Sequence, residues 1–103
     1  MRESDIQFDI IKFLESEDWL VVKIIQSNKN GWPDLQAHKA GITLFIEVKS
    51  EKGIVSELQK YRHRQLRNQG FFVFIVNNLI NLQNELINLS NELLRERTIR
   101  NCN

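Results

Sequence analysis

Asp34, Glu47 and Lys49 form a short pattern of charges beside two apolar, strand-like runs. Twelve residues separate Asp34 from the Glu47-Val48-Lys49 triplet. Alternate side chains of a β-strand share one face, so Glu47 and Lys49 would project together while Val48 projects into the core. Charges at the end of an apolar strand are costly to bury unless they are paired or bound to a metal ion. The triplet therefore indicates either a solvated ion pair or a metal-dependent site.

A predicted β-hairpin brings the two parts of this pattern together. Its strands cover residues 33–38 and 42–49, and the short turn Lys39-Ala40-Gly41 joins them. Positions whose numbers sum to about 80 or 81 face each other across such a hairpin. Asp34 and Glu47 meet this condition, so we expect the two carboxylates to lie side by side.

The two carboxylates and the backbone carbonyl of Val48 would form an all-oxygen site, which suits Mg²⁺ or Mn²⁺. Such an ion lowers the pKa of a bound water and neutralises charge on a phosphate under attack. Lys49 would orient that water or stabilise the developing charge. His38 and His63 have no partner histidine or cysteine at metal-binding spacing, and we interpret both as ordinary polar positions.

Five further elements are predicted around the hairpin. They are a helix from about Ser4 to Leu14, a strand Trp19–Ile25, a helix from about Ser56 to Asn68 or Gln69, a strand Phe71–Val76 and an amphipathic helix over 79–97. The order α-β-β-β-α-β-α predicts an α/β domain, with a mixed central sheet of about four strands flanked by helices. The continuous apolar run Phe71–Val76 is typical of a strand buried on both faces. Ser4 and Gln7 match a helix-capping box.

Length and composition limit the other possibilities. The 103 residues suit one domain, residues 1–103, and the formal net charge of +1 means that DNA binding would need a local basic patch. The one cysteine, Cys102, allows neither an internal disulfide nor a cysteine-based zinc site, as in a reducing cytoplasm. We read no signal peptide and no membrane span, and we expect no nucleotide cofactor.

Taken together, these motifs resemble the virus-type replication-repair nuclease (VRR-NUC) domain, a branch of the PD-(D/E)xK superfamily. The resemblance covers roughly residues 3 to 77 and is carried by Gly31–Leu35, Phe45–Lys49, Gln59 and Gly70–Val73. It implies a restriction-endonuclease-like fold and Mg²⁺- or Mn²⁺-dependent cleavage of DNA. Stand-alone members are similar to phage-encoded homodimers that act on branched DNA, such as four-way junctions.

The resemblance also assigns roles to individual residues. Asp34, Glu47 and the carbonyl of Val48 would bind the metal, and Lys49 would be the catalytic lysine. Glu3 and Gln7 resemble the family's N-terminal pair beside the metal, which implies that Glu3 is a further metal ligand and that Gln7 contacts the DNA. Gln59 resembles the family's second-helix glutamine, which implies a catalytic role. The alternatives are fraying of the helix end at Glu3, the capping box for Gln7 and a solvated helix position for Gln59.

Positive side chains that could contact DNA lie in two places. Lys60, Arg64 and Arg67 fall at i, i+4 and i+7, which predicts a basic stripe along one helix. A solvated outer face would give the same pattern. Lys29 and Asn30, in the turn before Asp34, are better placed to touch the DNA near the scissile phosphate.

The C-terminal helix predicts a homodimer. A leucine stripe alternates spacings of three and four, and a second apolar column repeats every seven residues beside it. The two sets are Leu79, Leu82, Leu86, Leu89 and Leu93, and Ile80, Ile87 and Leu94. One stripe could pack on the chain's own sheet, but the combined face is wider than that packing requires. We therefore expect the helix to contribute to a two-fold interface or to buttress it.

Other functions fit the sequence less well. A catalytically silent DNA-binding or assembly module would not need Asp34, Glu47 and Lys49 intact. A restriction-type endonuclease would need base-reading elements, for which 103 residues leave little room. A small toxin-like RNase would require a histidine acid–base pair. A structure-specific nuclease acting in replication, recombination or repair is the preferred hypothesis.

Overall fold

Within residues 1–101, which the computed structural model describes, the chain forms three helices and one four-stranded sheet. Side chains are described for residues 1–98, so Cys102 lies outside the described residues. The elements are α1 (Glu3–Ser16), β1 (Leu20–Lys23), β2 (Leu35–Lys39), β3 (Ile42–Val48), α2 (Glu57–Asn68), β4 (Phe72–Val76) and α3 (Leu79–Asn101). The predicted order and the α/β class are confirmed, with the ends of most elements displaced by a few residues.

The sheet has the strand order β1-β2-β3-β4, with β1–β2 and β2–β3 antiparallel and β3–β4 parallel. Leu35 lies opposite Ile46, and Lys39 lies opposite Ile42, so paired positions sum to 81 as expected. The β2–β3 turn has positive φ at both Ala40 (50°) and Gly41 (79°), as a two-residue type I′ hairpin turn requires. The turn therefore fixes the register that sets Asp34 opposite Glu47, one position beyond the Leu35–Ile46 pair.

Each face of the sheet is covered by different helices. The larger core lies between the sheet and α1 with α3, and it includes Leu44, Ile46 and Val48 of the central strand β3. On the other face, Phe45 packs with Leu66 of α2 and with β4. Glu47 has the parity of Phe45, so the strand alternation directs it toward α2. The site therefore lies on the face that α2 covers.

The first helix begins differently from the sequence expectation. It starts at Glu3, with Arg2 as its N-cap, and no side chain caps it. Ser4 is then inside the first turn, so its hydroxyl is not at the capping position and the predicted Ser4–Gln7 capping box is wrong. Gln7 is instead 9% exposed, on the buried side of α1 with Ile6.

Strand β4 is an edge strand and is partly exposed at Ile75, and this exposure corrects the expectation that the strand is buried on both faces. It pairs only with β3 in the described sheet, and Ile75 is 41% exposed, as is Phe71 just before the strand. An apolar run does not distinguish an edge strand from a central one when a helix covers part of its face.

The long helix α3 buries only part of its apolar surface. Leu82 and Leu89 are buried, and the remaining leucines of the stripe pack against the same core. Ile80, Ile87 and Leu94 are exposed by 58% or more. The leucine stripe therefore packs on the chain's own domain, and the second column remains in solvent. No helix within residues 1–101 combines the length and apolarity needed to cross a membrane.

Candidate active site

The site forms at one edge of the sheet, which we call the carboxyl edge. Strands β1, β3 and β4 end there at Lys23, Val48 and Val76, and β2 begins there at Leu35. The chain therefore enters α2 and α3 from this edge, and α1 also begins beside it. The positive ends of three helix dipoles lie on this side of the molecule, which favours an anionic ligand such as a phosphate.

Asp34, Glu47 and Lys49 all lie at the carboxyl edge. Asp34 immediately precedes β2, and its carbonyl accepts a hydrogen bond from Ile24 N at 2.8 Å. Its side-chain Oδ2 accepts from Val48 N at 2.9 Å, which ties Asp34 to the end of β3. The hairpin thus brings together the three residues that the sequence predicted.

The aromatic residue before the Pro33-Asp34 pair fixes the entry into β2. The ring of Trp32 meets that of Phe45 edge-on, with centroids 5.7 Å apart. Pro33 is fully buried. Because Phe45 lies two residues before Glu47 on the same face of β3, this packing positions both carboxylate-bearing segments.

Glu47 is fully buried, at 0% exposure. Burial, followed by the hydrogen bonding and negative charge of the nearby Asp34, raises the pKa of Glu47 to about 9, and Lys49 opposes this increase. Its Oε2 has no donor among the described residues. At neutral pH the pair of carboxylates therefore requires either a shared proton or a bound cation.

A hard divalent cation fits these residues. Two adjacent carboxylates and a neighbouring backbone carbonyl are the ligand types that Mg²⁺ and Mn²⁺ prefer, and the buried Oε2 of Glu47 is an acceptor that a cation would satisfy. Within the part of the chain with described side chains, no group of three or more His, Cys, Asp or Glu side chains is arranged to hold a metal ion. The side-chain ligands of such a cation would then be the pair Asp34 and Glu47, and the Val48 carbonyl would be a backbone ligand.

Glu3 reaches the loop that follows β3. Its Oε1 accepts from Ser50 N at 3.4 Å, and a Cβ at Gly53 would lie 3.3 Å from both Glu3 Oε1 and Lys49 Cβ. Gln7 lies one helical turn further along the same side of α1. The fold thus brings the N-terminal pair toward the carboxyl edge, and contact of Glu3 with the metal stays a prediction.

His63 is a site residue that sequence reasoning missed. It is 1% exposed, and its Nε2 lies 3.2 Å from Glu47 Oε1. Burial, followed by the positive charge of Arg67, lowers the pKa of His63. The interpretation as an ordinary polar position is wrong, since its spacing of three from the apolar Leu66 places it on the inner face of α2. His38, by contrast, pairs with Thr43 at 2.9 Å.

Gln59 has a local role in the structure. Its Oε1 accepts from Ser56 N at 2.9 Å, while Ser56 Oγ accepts from Gln59 N at 3.1 Å, which completes a capping box at the start of α2. The Ser-x-x-Gln spacing could have revealed this box from the sequence. A catalytic role for Gln59 stays a prediction.

The predicted basic stripe on α2 divides into residues with different environments. Lys60 forms an exposed ion pair with Glu57 at 3.2 Å. Arg67 donates to the carbonyl of Val73 at 2.9 Å and so holds α2 against β4. Arg64 is exposed. The stripe therefore combines a structural contact at Arg67 with exposed charges that DNA could meet.

The loop that carries Lys29 and Asn30 also lies at the carboxyl edge, and both residues are exposed. Arg62 of α2 donates to the carbonyl of Asn30 at 2.9 Å. Gly31, with φ +80°, packs so closely that a Cβ there would lie 2.9 Å from Leu58 Cγ. Helix α2 thus anchors the loop that leads into Asp34.

Comparisons with solved structures identify similar folds. One structure described as "VRR_NUC domain" aligns with a TM-score of 0.73 and 27% identity, over 82% of this chain and 92% of that chain. A second, described as "VRR_NUC domain protein", aligns with a TM-score of 0.69 and 18% identity, over 84% and 85%. No protein-family model and no curated protein matches the sequence. The resemblance predicted from the sequence motifs is confirmed by these alignments, and the chain has the fold of a VRR-NUC domain.

Proposed function

We propose that this protein is a Mg²⁺- or Mn²⁺-dependent endodeoxyribonuclease that hydrolyses phosphodiester bonds. The observation that carries the proposal is the buried Glu47 carboxylate beside Asp34, with an oxygen that has no donor, in a domain with the VRR-NUC fold. A purely structural carboxylate would be expected to have both oxygens satisfied by donors.

In this proposal each residue has a separate task. Asp34, Glu47 and the carbonyl of Val48 hold the cation, which when bound supplies a water of lowered pKa and neutralises phosphate charge. The Val48 amide restrains Asp34, because it donates to Oδ2 at 2.9 Å. Lys49 shares the face of Glu47 and provides positive charge for the attacking water or the phosphate under attack.

We propose branched DNA, such as a four-way junction, as the substrate. The helix N-termini at the carboxyl edge and the exposed Lys29 and Arg64 suit phosphate contacts, which carry no sequence information. The formal net charge of +1 limits non-specific attraction to DNA. Recognition of DNA shape fits this surface better than reading of base sequence. The proposed setting is replication, recombination or repair in the cytoplasm of a bacterial or phage-infected cell.

A homodimer would present two such sites. The exposed column Ile80, Ile87 and Leu94 on α3 is the surface that we propose for the interface. Two-fold symmetry would then place two carboxylate pairs on one particle, which suits paired cuts in a symmetric junction.

The test is cleavage of labelled duplex, flap and four-way junction with Mg²⁺, with Mn²⁺ and with EDTA. Asp34→Ala and Glu47→Ala should each lower the cleavage rate by about 100-fold or more, since a bound cation contributes several kcal/mol of charge stabilisation. The matched control is Glu15→Ala, which removes an exposed carboxylate of α1.

The other candidate functions predict different results. A silent binding module would bind the junction without metal-dependent cleavage, and a restriction-type enzyme would cut duplex DNA at a defined sequence. Wild-type cleavage rates in either carboxylate variant would show that the site has been assigned wrongly.

A further inference from the structure

A buried contact joins His63 of α2 to Glu47 at the end of β3. We propose that His63 is a positioning residue for Glu47: its Nε2–H donates to Oε1 and leaves Oε2 available to a divalent cation. The inference rests on the proposed metal-dependent function and adds a residue to the same site. His63 itself would touch neither the metal nor the DNA.

The geometry of the pair restricts both side chains. His63 Nε2 and Glu47 Oε1 are 3.2 Å apart, and the two side chains are 1% and 0% exposed. The residues come from different elements, since His63 lies on α2 and Glu47 at the end of β3. Water cannot replace either partner at such burial, so the contact holds the carboxylate in one orientation relative to the helix.

The hydrogen bond is the polar contact through which this part of α2 meets Glu47. Among the described residues, His63 is the side chain that brings a nitrogen donor to Glu47, and the other polar side chain beside this carboxylate is the acidic Asp34. The surrounding layer between α2 and the sheet is apolar, with Phe45, Leu66 and Val73 buried in it. An apolar residue in place of His63 would fill this layer equally well but would leave both oxygens of Glu47 without a donor.

The roles of donor and acceptor follow from the hydrogen-bonding groups available. A carboxylate only accepts, so the hydrogen must be on Nε2 of His63 when Glu47 binds a cation. Nδ1 is then a lone-pair acceptor, and it has no partner among the described residues. The other neutral tautomer would leave a buried N–H unpaired and would set two acceptors against each other. A neutral histidine with its hydrogen on Nε2 therefore suffices, and no charge on the ring is needed.

The pair also assigns different tasks to the two carboxylate oxygens of Glu47. Oε1 is occupied by His63, whereas Oε2 is buried without a donor. Hydrogen-bonded partners of metal ligands orient those ligands, and their removal typically weakens metal binding by about 10- to 100-fold. Loss of the His63 donor should therefore weaken metal binding even though all the metal ligands remain.

The experiment measures Mn²⁺ affinity by titration calorimetry on the full chain, with thermal unfolding in EDTA as a separate measurement of folding. His63→Leu removes the donor and keeps an apolar side chain, and it should weaken Mn²⁺ binding by about 10- to 100-fold. His63→Gln places an amide N–H near the position of Nε2 and should retain affinity close to that of wild type. The control is His38→Leu, which removes a histidine on the same face of the sheet that bonds to Thr43 instead.

Rescue by glutamine separates positioning from packing. His63→Leu with wild-type affinity for Mn²⁺ would overturn the proposal. Equal weakening in the leucine and glutamine variants, with wild-type unfolding in EDTA, would also overturn it, because the donor would not matter. If His63→Leu fails to fold, His63→Asn provides the comparison, since its amide is one methylene short of the Nε2 position. Weak binding by the asparagine variant beside normal binding by the glutamine variant supports the proposal, and equal affinities contradict it.

Failure of this inference can be distinguished from failure of the proposed function. Wild-type protein that neither binds Mn²⁺ nor cleaves DNA would remove the metal-dependent function, and the role of His63 with it. Wild-type protein that binds Mn²⁺ and cleaves DNA, with unchanged binding in His63→Leu, would remove the role of His63 alone.

Discussion

The pKa of Glu47 depends on charges of both signs at the carboxyl edge. Burial and the adjacent Asp34 favour its protonated form, whereas Lys49 favours its charged form. A cation bound between the carboxylates would act in the same direction as Lys49 and with greater charge. The lysine therefore modifies the site electrostatically without being a metal ligand, which leads to a prediction that separates these two roles.

Lys49→Ala should lose most cleavage activity and still bind Mn²⁺. In the proposed mechanism the ammonium group supplies charge and orientation for the reacting groups, and the substitution leaves the proposed ligand oxygens of Asp34 and Glu47 in place. Calorimetric titration of Mn²⁺ and single-turnover cleavage of a labelled junction measure the two effects. Lys52→Ala, in the exposed loop after β3, is the control and should affect neither. Loss of metal binding in Lys49→Ala would show that the lysine has a structural role.

The metal-free protein should become less stable as the pH rises from 7 to 9. Glu47 has a folded pKa of about 9 against an ordinary value of 4.5, so the folded state holds a proton that the unfolded state has released. Stability then falls with pH across this window, by at most about 1.4 kcal/mol per pH unit. The lowered pKa of His63 affects stability only below about 6.5, outside the window.

Urea unfolding in EDTA at several pH values measures this slope. Glu47→Gln stays neutral throughout, so the wild-type decrease should become much smaller in this variant. An identical decrease in both proteins would show that other groups cause it, and that Glu47 is not the proton-binding residue.

Helix α2 contacts the loop before β2 as well as the sheet. Arg62 donates to the Asn30 carbonyl, and Leu58 packs against Gly31. The same helix also places His63 against Glu47 of β3. Helix α2 thus connects the segment leading into Asp34 with the strand that carries Glu47.

Gly31→Ala and Gly41→Ala should lower the free energy of unfolding by different amounts, although the two glycines have similar φ angles. Their φ angles are +80° and +79°, so each substitution introduces similar strain, on the order of 1 kcal/mol. A Cβ at Gly31 would also meet Leu58 Cγ at 2.9 Å, whereas nothing lies within 4 Å of a Cβ at Gly41. Gly31→Ala should therefore lower the free energy of unfolding further, and it should slow cleavage by displacing the loop before Asp34. Equal losses in urea unfolding would contradict the tight contact between this loop and α2.

The sequence predicted those elements whose positions depend on local pattern. The hairpin register followed from the predicted turn Lys39-Ala40-Gly41 and from strand alternation, and this register correctly set Asp34 opposite Glu47. The partner of His63 could not be predicted in this way, because it depends on how α2 crosses the sheet. A solitary histidine has no spacing that reveals a carboxylate 16 positions away in the chain. The partial exposure of β4 was missed for a similar reason, since it depends on how the helices cover an edge strand of the assembled sheet.

The exposed apolar column of α3 predicts that two copies of this chain associate. Ile80, Ile87 and Leu94 are 68%, 58% and 60% exposed and repeat every seven residues, so they span about 21 Å along the helix. Light scattering at micromolar concentration should report about twice the 12.2 kDa chain mass. The double variant Ile80→Glu with Ile87→Glu should be monomeric, because it places charge in the proposed interface.

Leu20→Glu is the control for this prediction, since it replaces an equally exposed apolar residue, at 67%, on β1. It should leave the mass unchanged. A wild-type monomer that still cuts four-way junctions symmetrically would contradict both the interface and the paired-site arrangement.

The hairpin that builds the site has its turn at the opposite end of the sheet. Five paired positions run from Leu35 to Lys39, which places these two residues about 13 Å apart along the strand. The turn is exposed at Ala40 and Gly41, so additional chain there would extend away from the surface that we propose for DNA. A fluorescent reporter or a fused domain inserted between these two residues would therefore leave the reactive end accessible. This turn is the natural attachment point for following the protein on its substrate.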